Sequence, residues 1–202
     1  AALGPPLIDV ARLAARVGIY SWFDDAKYHW GKIPFRFEWL PLYAERVVQK
    51  IAVGEGQIRK CLVLDLDNTL WGGVIGDDGL SGILLGNNSA TGEAFLAGQR
   101  YYKSLANRGV LLAVCSKNDQ RVAEMPFVEH PDMVLKLEDF AAFVANWHDK
   151  ASNLRHLARQ LNLGLESFVF LDDNPVERDL VRTELPEVAV PELPSDGASL
   201  YP

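Results

Sequence analysis

The sequence predicts an α/β protein built on a doubly wound parallel sheet, with a minimal hairpin flap and no large cap domain. Three observations predict it. Short apolar runs of strand length at 61–64, 110–114, 133–135 and 168–171 alternate with stretches of helical apolar spacing, the order that produces βαβ units. Two of these runs end in acids, Asp65 and Asp67 after the first and Asp172 and Asp173 after the last, where open parallel sheets bind ligands. Between Asp67 and the helix expected from residue 92, only about two dozen residues remain, enough for a hairpin and too few for a globular cap.

Composition bounds the rest. With 202 residues, 49% of them apolar, the chain can bury a full core and disorder is not expected. A formal net charge of -7 without a dense Lys/Arg cluster argues against nucleic acid as the partner, while leaving room for a small phosphorylated substrate that needs only a local positive site. No apolar run approaches the roughly 18 residues of a membrane span, so no membrane association is expected. The start AALGPPLIDV lacks the basic end and long apolar stretch of a signal peptide, and a cytoplasmic protein is expected. Two cysteines, Cys61 and Cys115, have no metal-ligand spacing and are too few for a disulfide framework. Both lie in apolar runs and on burial alone read as small buried hydrophobes.

Taken in order, residues 1–57 read as a helical and aromatic packing segment and 58–202 as the catalytic domain. Helical spacing at 7–17 leads into GIYSWFDDAKYHWGKIPFRF, which has no clean period and reads as irregular. Its aromatic side chains, among them Trp22 and Trp30, read as a coat over the core, with a partner surface as the other use. A helix over 38–53 follows, stopped by Gly54 and Gly56. Cys61–Leu64 is too short for a helix and rich in branched residues, which suits a strand buried on both faces. WGGVIGDDGLSGILLG alternates glycine with apolar pairs and reads as a tight turn and small hairpin. Helices are expected over 92–107 and Lys150–Leu161, strands over 110–114, 133–135 and Phe168–Leu171, and a fifth strand over 188–190.

The polar strand ends carry the chemistry. Asp65 and Asp67, spaced i, i+2, repel each other unless a cation or a shared proton offsets their charge, and hard oxygen ligands suit a divalent ion such as Mg2+. Alone, DLDNT reads equally well as an Asx-type turn. CSKND offers the Ser116 hydroxyl, backbone N–H groups and Lys117, a set that can hold a phosphate or simply form a polar turn. Lys150 opens a helix, against the preference for acids there, which points to an anion nearby or to a solvated lysine. Together, Asp65, Asp67 and Asp172 or Asp173 beside Ser116 and Lys150 supply cation ligands, a phosphate contact and a balancing charge.

The order DxDxT, Ser at a strand end, Lys, then DD resembles the haloacid dehalogenase superfamily of phosphotransferases, whose doubly wound fold the elements above already predict. By that resemblance Asp65 is the nucleophile, Asp67 the general acid/base, and Thr69 supports the turn of the phosphate site. Ser116 and Lys150 hold the phosphoryl group, and Asp65, Asp67 and one of Asp172 and Asp173, with Asp172 preferred, bind Mg2+. The strings RKCLVLDLDNTLWGGVIGDDG, LLAVCSKND, NWHDKASNLRHLA and SFVFLDDNPVER, with KIPF and PEVAVPELP outside them, further resemble the FkbH-like family of polyketide pathways. That resemblance implies a glyceryl transferase/phosphatase that takes a glyceryl unit from 1,3-bisphosphoglycerate and loads it as a thioester on an acyl carrier protein. Acyl transfer calls for a further nucleophile, for which Cys115 is the choice over Cys61, with His148 as a candidate activator. Strand alternation stands against Cys115 unless the strand ends before it. The alternatives are a plain phosphatase with Cys115 as packing, and a receiver-like phospho-acceptor module.

Overall fold

The structure is a computed structural model that describes residues 7–54 and 58–193. They fall into two compact units, Ala1–Ile58 and Arg59–Pro202.

In the first unit, α1 (Val10–Val17) is capped by Asp9, whose carboxylate accepts from Arg12 N at 2.9 Å. Leu13 and Ala14 on its inner face pack with Trp22 and Phe35, whose rings lie 5.1 Å apart. The aromatic stretch expected to be irregular instead holds α2 (Ile19–Trp22), α3 (Asp25–Gly31) and a 3₁₀ turn at Phe37–Trp39. These pieces are too short for an apolar period to register. Local capping makes them, with Asp24 accepting from Lys27 N and Lys32 closing α3 in the left-handed conformation at φ 54°. Trp22 is fully buried and Trp30 almost fully exposed, so the aromatic coat is only partial. The expected helix over 38–53 is α4 (Leu40–Gly54); Gly56, expected to help stop it, lies outside the described residues.

The second unit is a four-stranded parallel sheet of β1 (Cys61–Leu64), β2 (Leu111–Ser116), β3 (Phe140–Ala145) and β4 (Phe168–Leu171), in the order β3-β2-β1-β4. The expected doubly wound architecture is present. Alternation along the central strands splits the core. Leu62, Leu64, Leu112 and Val114 pack on one face with Phe95 and Leu96 of α6 (Ala90–Ala106) and Ala123 and Phe127 of α7 (Gln120–Glu129). Cys61, Val63, Ala113 and Cys115 pack on the other with Leu154 and Leu157 of α8 (Lys150–Leu161) and Val181 of α9 (Pro175–Glu184). Burial of both faces is what turns the strand sequences into continuous apolar runs.

Three expectations need correction. The segment at 133–135 is not a strand; Met133 and Leu135 are buried in a loop, and the strand beside β2 is FAAFVA. That strand was concealed by its lead-in to a strongly patterned helix, and its burial is uneven because it lies at the sheet edge. The expected hairpin after Asp67 is a helical loop, α5 (Ile75–Gly82), interrupted at Gly79 and closed at its base by an antiparallel bridge between Gly72 and Leu84. Glycines at both ends of short apolar pairs fit either form, and the Val74 carbonyl accepting from Asp77 and Asp78 N–H groups selects the helix. Residues 188–190 contribute a single bridge, Ala189 to Val169, and not a full strand.

Candidate active site

Because the strands are parallel, the carboxyl ends of β1, β2 and β4 share one edge, and there they line a cleft of about 210 Å³. Asp65 continues the β1 ladder, its N–H donating to Leu171 O at 2.9 Å, and so its carboxylate is carried by the sheet itself. Next, the chain must turn sharply to bring Asp67 back over the same edge. Asn68 does this in the left-handed conformation (φ 52°), one that asparagine tolerates, and its Oδ1 accepts from Gly73 N at 2.8 Å. Gly73, at φ 91°, leaves no room for a Cβ, which would meet Asp78 Oδ2 at 2.6 Å.

Lys150 is the buried centre of the site. As the first residue of α8, behind the Asp149 cap, it reaches across the edge of β2. Its Nζ donates to Asp65 Oδ1 at 2.7 Å and to Cys115 O at 2.7 Å, and stands 3.0 Å from Asp172 Oδ2. The anion that its place at a helix start called for is thus a pair of carboxylates. Burial works against the ammonium, yet Asp65 foremost and then Asp172 more than offset it, and its pKa is raised above the ordinary lysine value.

The acids themselves are mutually repelling. Asp172 Oδ2 is fully buried and lacks a hydrogen bond in good geometry, although Lys150 pairs with it by charge. Burial and then Asp65 push the Asp172 pKa up, while Lys150 opposes them. At the rim, Asp173 is pushed up to about 6 by partial burial first and by Asp65 and Asp172 next. Asp65, Asp172 and Asp173 each place a carboxylate oxygen within 4.8 Å of the others. A buried carboxylate oxygen held by charge alone, beside two further hard oxygen donors, fits a small divalent cation.

Asp67 is in a different environment. Its Oδ1 accepts from Trp71 Nε1 and Ile75 N, both at 2.9 Å, and its Oδ2 from Asn118 Nδ2 at 3.0 Å. Burial raises its pKa most, the Ile75 and Trp71 donors lower it, and Asp65 raises it again, with a net rise. Two neighbouring carboxylates are therefore set apart: Asp65 is paired with a buried ammonium, whereas Asp67 has only neutral donors about it and a raised pKa.

Of the residues expected at the site, Asp65, Asp67, Ser116, Lys150, Asp172 and Asp173 all line this cleft. Thr69 does not. Its hydroxyl is buried without a hydrogen-bond partner and stands apart from the residues that line the cleft. Cys115 is also displaced. β2 runs on through Ser116, so alternation sends Ser116 to the cleft and the Cys115 thiol into the core against α8, fully buried, where burial pushes it up to about 12. Cys61 is buried as well and likewise pushed up to about 12. His148 lines a separate cleft of about 430 Å³ beyond β3, with His156 and Asn146, which contains none of the acids. Asn118 and Trp71 were missed as site residues, although both stand inside the motif strings; nothing in their spacing marks them as partners of Asp67.

No family model and no curated protein sequence matches the chain. Among solved structures, the N-terminal part of the protein BF1531 from Bacteroides fragilis, described as containing a phosphatase domain complexed with Mg, is 48% identical, with a TM-score of 0.87 over 95% of this chain. The chain shares the fold of that phosphatase-domain structure, with the doubly wound parallel sheet and absence of a large cap expected from its sequence. It spans about half of that BF1531 structure, 51%. A haloacid dehalogenase family enzyme, bt-2542 from Bacteroides thetaiotaomicron, aligns far more loosely, at 10% identity and a TM-score of 0.47 over 68% of this chain and 95% of its own. In this domain the only insertion between Asp67 and α6 is the α5 loop, and no large cap is built there. Among the described residues no helix is long and apolar enough to cross a membrane.

Proposed function

We propose that the chain is a Mg2+-dependent phosphatase acting through an aspartyl-phosphate. The observation that carries this reading is the division between Asp65, paired with Lys150 in an acidic cluster fitted for a cation, and Asp67, held by neutral donors with a raised pKa. The Mg2+ in the phosphatase domain of BF1531 supports the choice of ion. Asp65, Asp172 or Asp173, and the backbone at Asp67 would hold the ion, which supplies positive charge to the phosphoryl oxygens.

Asp65 attacks phosphorus with its carboxylate while the ester P–O bond breaks. Asp67 gives its proton to the departing alkoxide and so becomes the base for the second step. A water then loses a proton to Asp67 and attacks the aspartyl-phosphate, releasing inorganic phosphate and the Asp65 carboxylate. Ser116 supports the phosphoryl oxygens, and Lys150 keeps Asp65 aimed and balances its charge. Asp65→Asn is expected to lower phosphate release by on the order of a thousandfold or more with the fold intact. Wild-type turnover should cease in excess chelator and return with Mg2+. Release by the variant at the wild-type rate, or full turnover in chelator, refutes the mechanism.

The finer reading is glyceryl transfer from 1,3-bisphosphoglycerate to an acyl carrier protein, supported by the motif strings that resemble the FkbH-like family. Because both thiols of the chain are buried, we place the nucleophile of that step on the carrier. Its thiolate attacks the acyl phosphate carbon, the C–S bond forms and the C–O bond to phosphate breaks, which leaves a 3-phosphoglyceryl thioester; water then cleaves its remaining phosphate ester through Asp65, releasing a second phosphate and the glyceryl thioester. The α5 loop leaves the cleft open to a partner of that size. Incubation with 1,3-bisphosphoglycerate and carrier protein, followed by intact mass of both proteins, tests it. A glyceryl adduct on the enzyme before the carrier refutes the direct route, and phosphate release without any carrier adduct leaves a plain phosphatase.

A further inference from the structure

The cleft contains two ammonium groups with opposite states of engagement. Lys150 is committed to three oxygens, those of Asp65, Cys115 and Asp172, and is buried beneath the reacting carboxylate. Lys117, the residue after Ser116 at the end of β2, lines the same cleft but is one-third exposed. Among the described residues its one partner is Glu177, in the first turn of α9. That ion pair joins the β2 end to the α9 start and pins the ammonium at the cleft wall. An ammonium has three N–H donors, so the Glu177 pair leaves two unspent on a residue that lines the cleft.

Charge gives those donors a purpose. Asp65, Asp67, Asp172, Asp173 and Glu177 all line the cleft, against Lys117 and Lys150 alone. With Lys150 buried and engaged by three oxygens and the cation site serving the phosphoryl oxygens, any other negative group on a substrate meets Lys117, which is more exposed and engaged by Glu177 alone. A pre-anchored ammonium also loses less side-chain freedom on binding than a free one.

We infer that Lys117 is a substrate-binding residue that receives a second anionic group, carboxylate or phosphate, on the alcohol part of the phosphate ester. The preferred substrates are then phosphate esters that carry a further anionic group, and not phosphates of neutral alcohols. This inference rests on the phosphatase reading of the same cleft.

The experiment compares wild type and Lys117→Gln on 3-phosphoglycerate, glycerol 1,3-bisphosphate and glycerol 3-phosphate, with Mg2+. The same three ligands are titrated into Asp65→Asn and into the Asp65→Asn, Lys117→Gln double variant. For the carboxylate ester, the bisphosphate, or both, the ratio of kcat/KM to that of glycerol 3-phosphate should fall ten- to hundredfold in Lys117→Gln, as should the ratio of affinities. Which ester responds identifies the anion. If Lys117→Gln weakens all three ligands equally, Lys117 serves the transferring phosphoryl group and the inference is overturned. An unchanged ratio with no loss overturns it as well. If wild type hydrolyses none of the three, the phosphatase reading fails, and the affinity ratios still decide for or against Lys117.

Discussion

Replacing Lys150 by methionine keeps most of the side-chain volume and removes only the ammonium. The buried Asp65 and Asp172 carboxylates would then face each other, with Asp173 close by and no cation among them. The Cys115 carbonyl would also lose its side-chain donor, and the Phe170 ring the ammonium 5.6 Å from its centre. Removing one partner of a buried pair costs about 3–5 kcal/mol, because the other charge stays buried. At about 2–4 °C per kcal/mol for a chain of this size, metal-free Lys150→Met should melt roughly 6–20 °C below metal-free wild type. Divalent cation should restore part of this loss. Mg2+ at about a hundred times its Kd adds about 2.7 kcal/mol, and the variant, with a more negative site, should gain more from it than wild type. Thermal unfolding followed by circular dichroism, in chelator and in Mg2+, gives the four melting temperatures. A variant that melts within about 2 °C of wild type in chelator, or that gains no more from Mg2+ than wild type, refutes the reading of Lys150 as the counter-charge of this cluster.

Two further predictions follow from the same geometry. Cys115→Ala should cost about 1–2 kcal/mol through a small cavity beside α8 and leave phosphate release within about twofold, as denaturant unfolding and a phosphate assay will show; a catalytic collapse in a folded protein would return the thiol to the mechanism. Metal-free protein should lose stability as pH rises from about 4 to about 6. The native Asp173 carboxyl, pushed up to about 6, holds its proton over a range in which the unfolded one has lost it, so the native state binds more protons there and its advantage fades as pH passes the native value. Saturating Mg2+ should flatten or reverse this slope, and melting temperatures across that range that rise without metal would contradict it.

The sequence by itself determined what depends on local pattern. Continuous apolar runs mark β1 and β4 to the residue, because every position of β1 is buried and those of β4 are buried or half-buried, with no polar position to blur their ends. The α8 boundaries were legible for a related reason: Asp149 caps the helix and Asn162 ends it in the left-handed conformation, so both stop signals are written in side chains. Once parallel order was established, the acids after β1 and β4 and Ser116 after β2 had to share one edge, and the candidate site followed from topology. The tertiary structure alone decided the rest. The strand β3 carries an uneven apolar pattern of its own and runs into a strongly patterned helix, and the α5 loop is chosen by hydrogen bonds among residues that would suit a turn equally well. Asn118, Trp71 and Glu177 find Asp67 and Lys117 across 4 to 60 residues of chain, a pairing that no spacing records. Cys115 and Ser116 are one residue apart, yet only the length of β2 assigns one to the core and the other to the cleft, because each added strand residue reverses the face to which a side chain points.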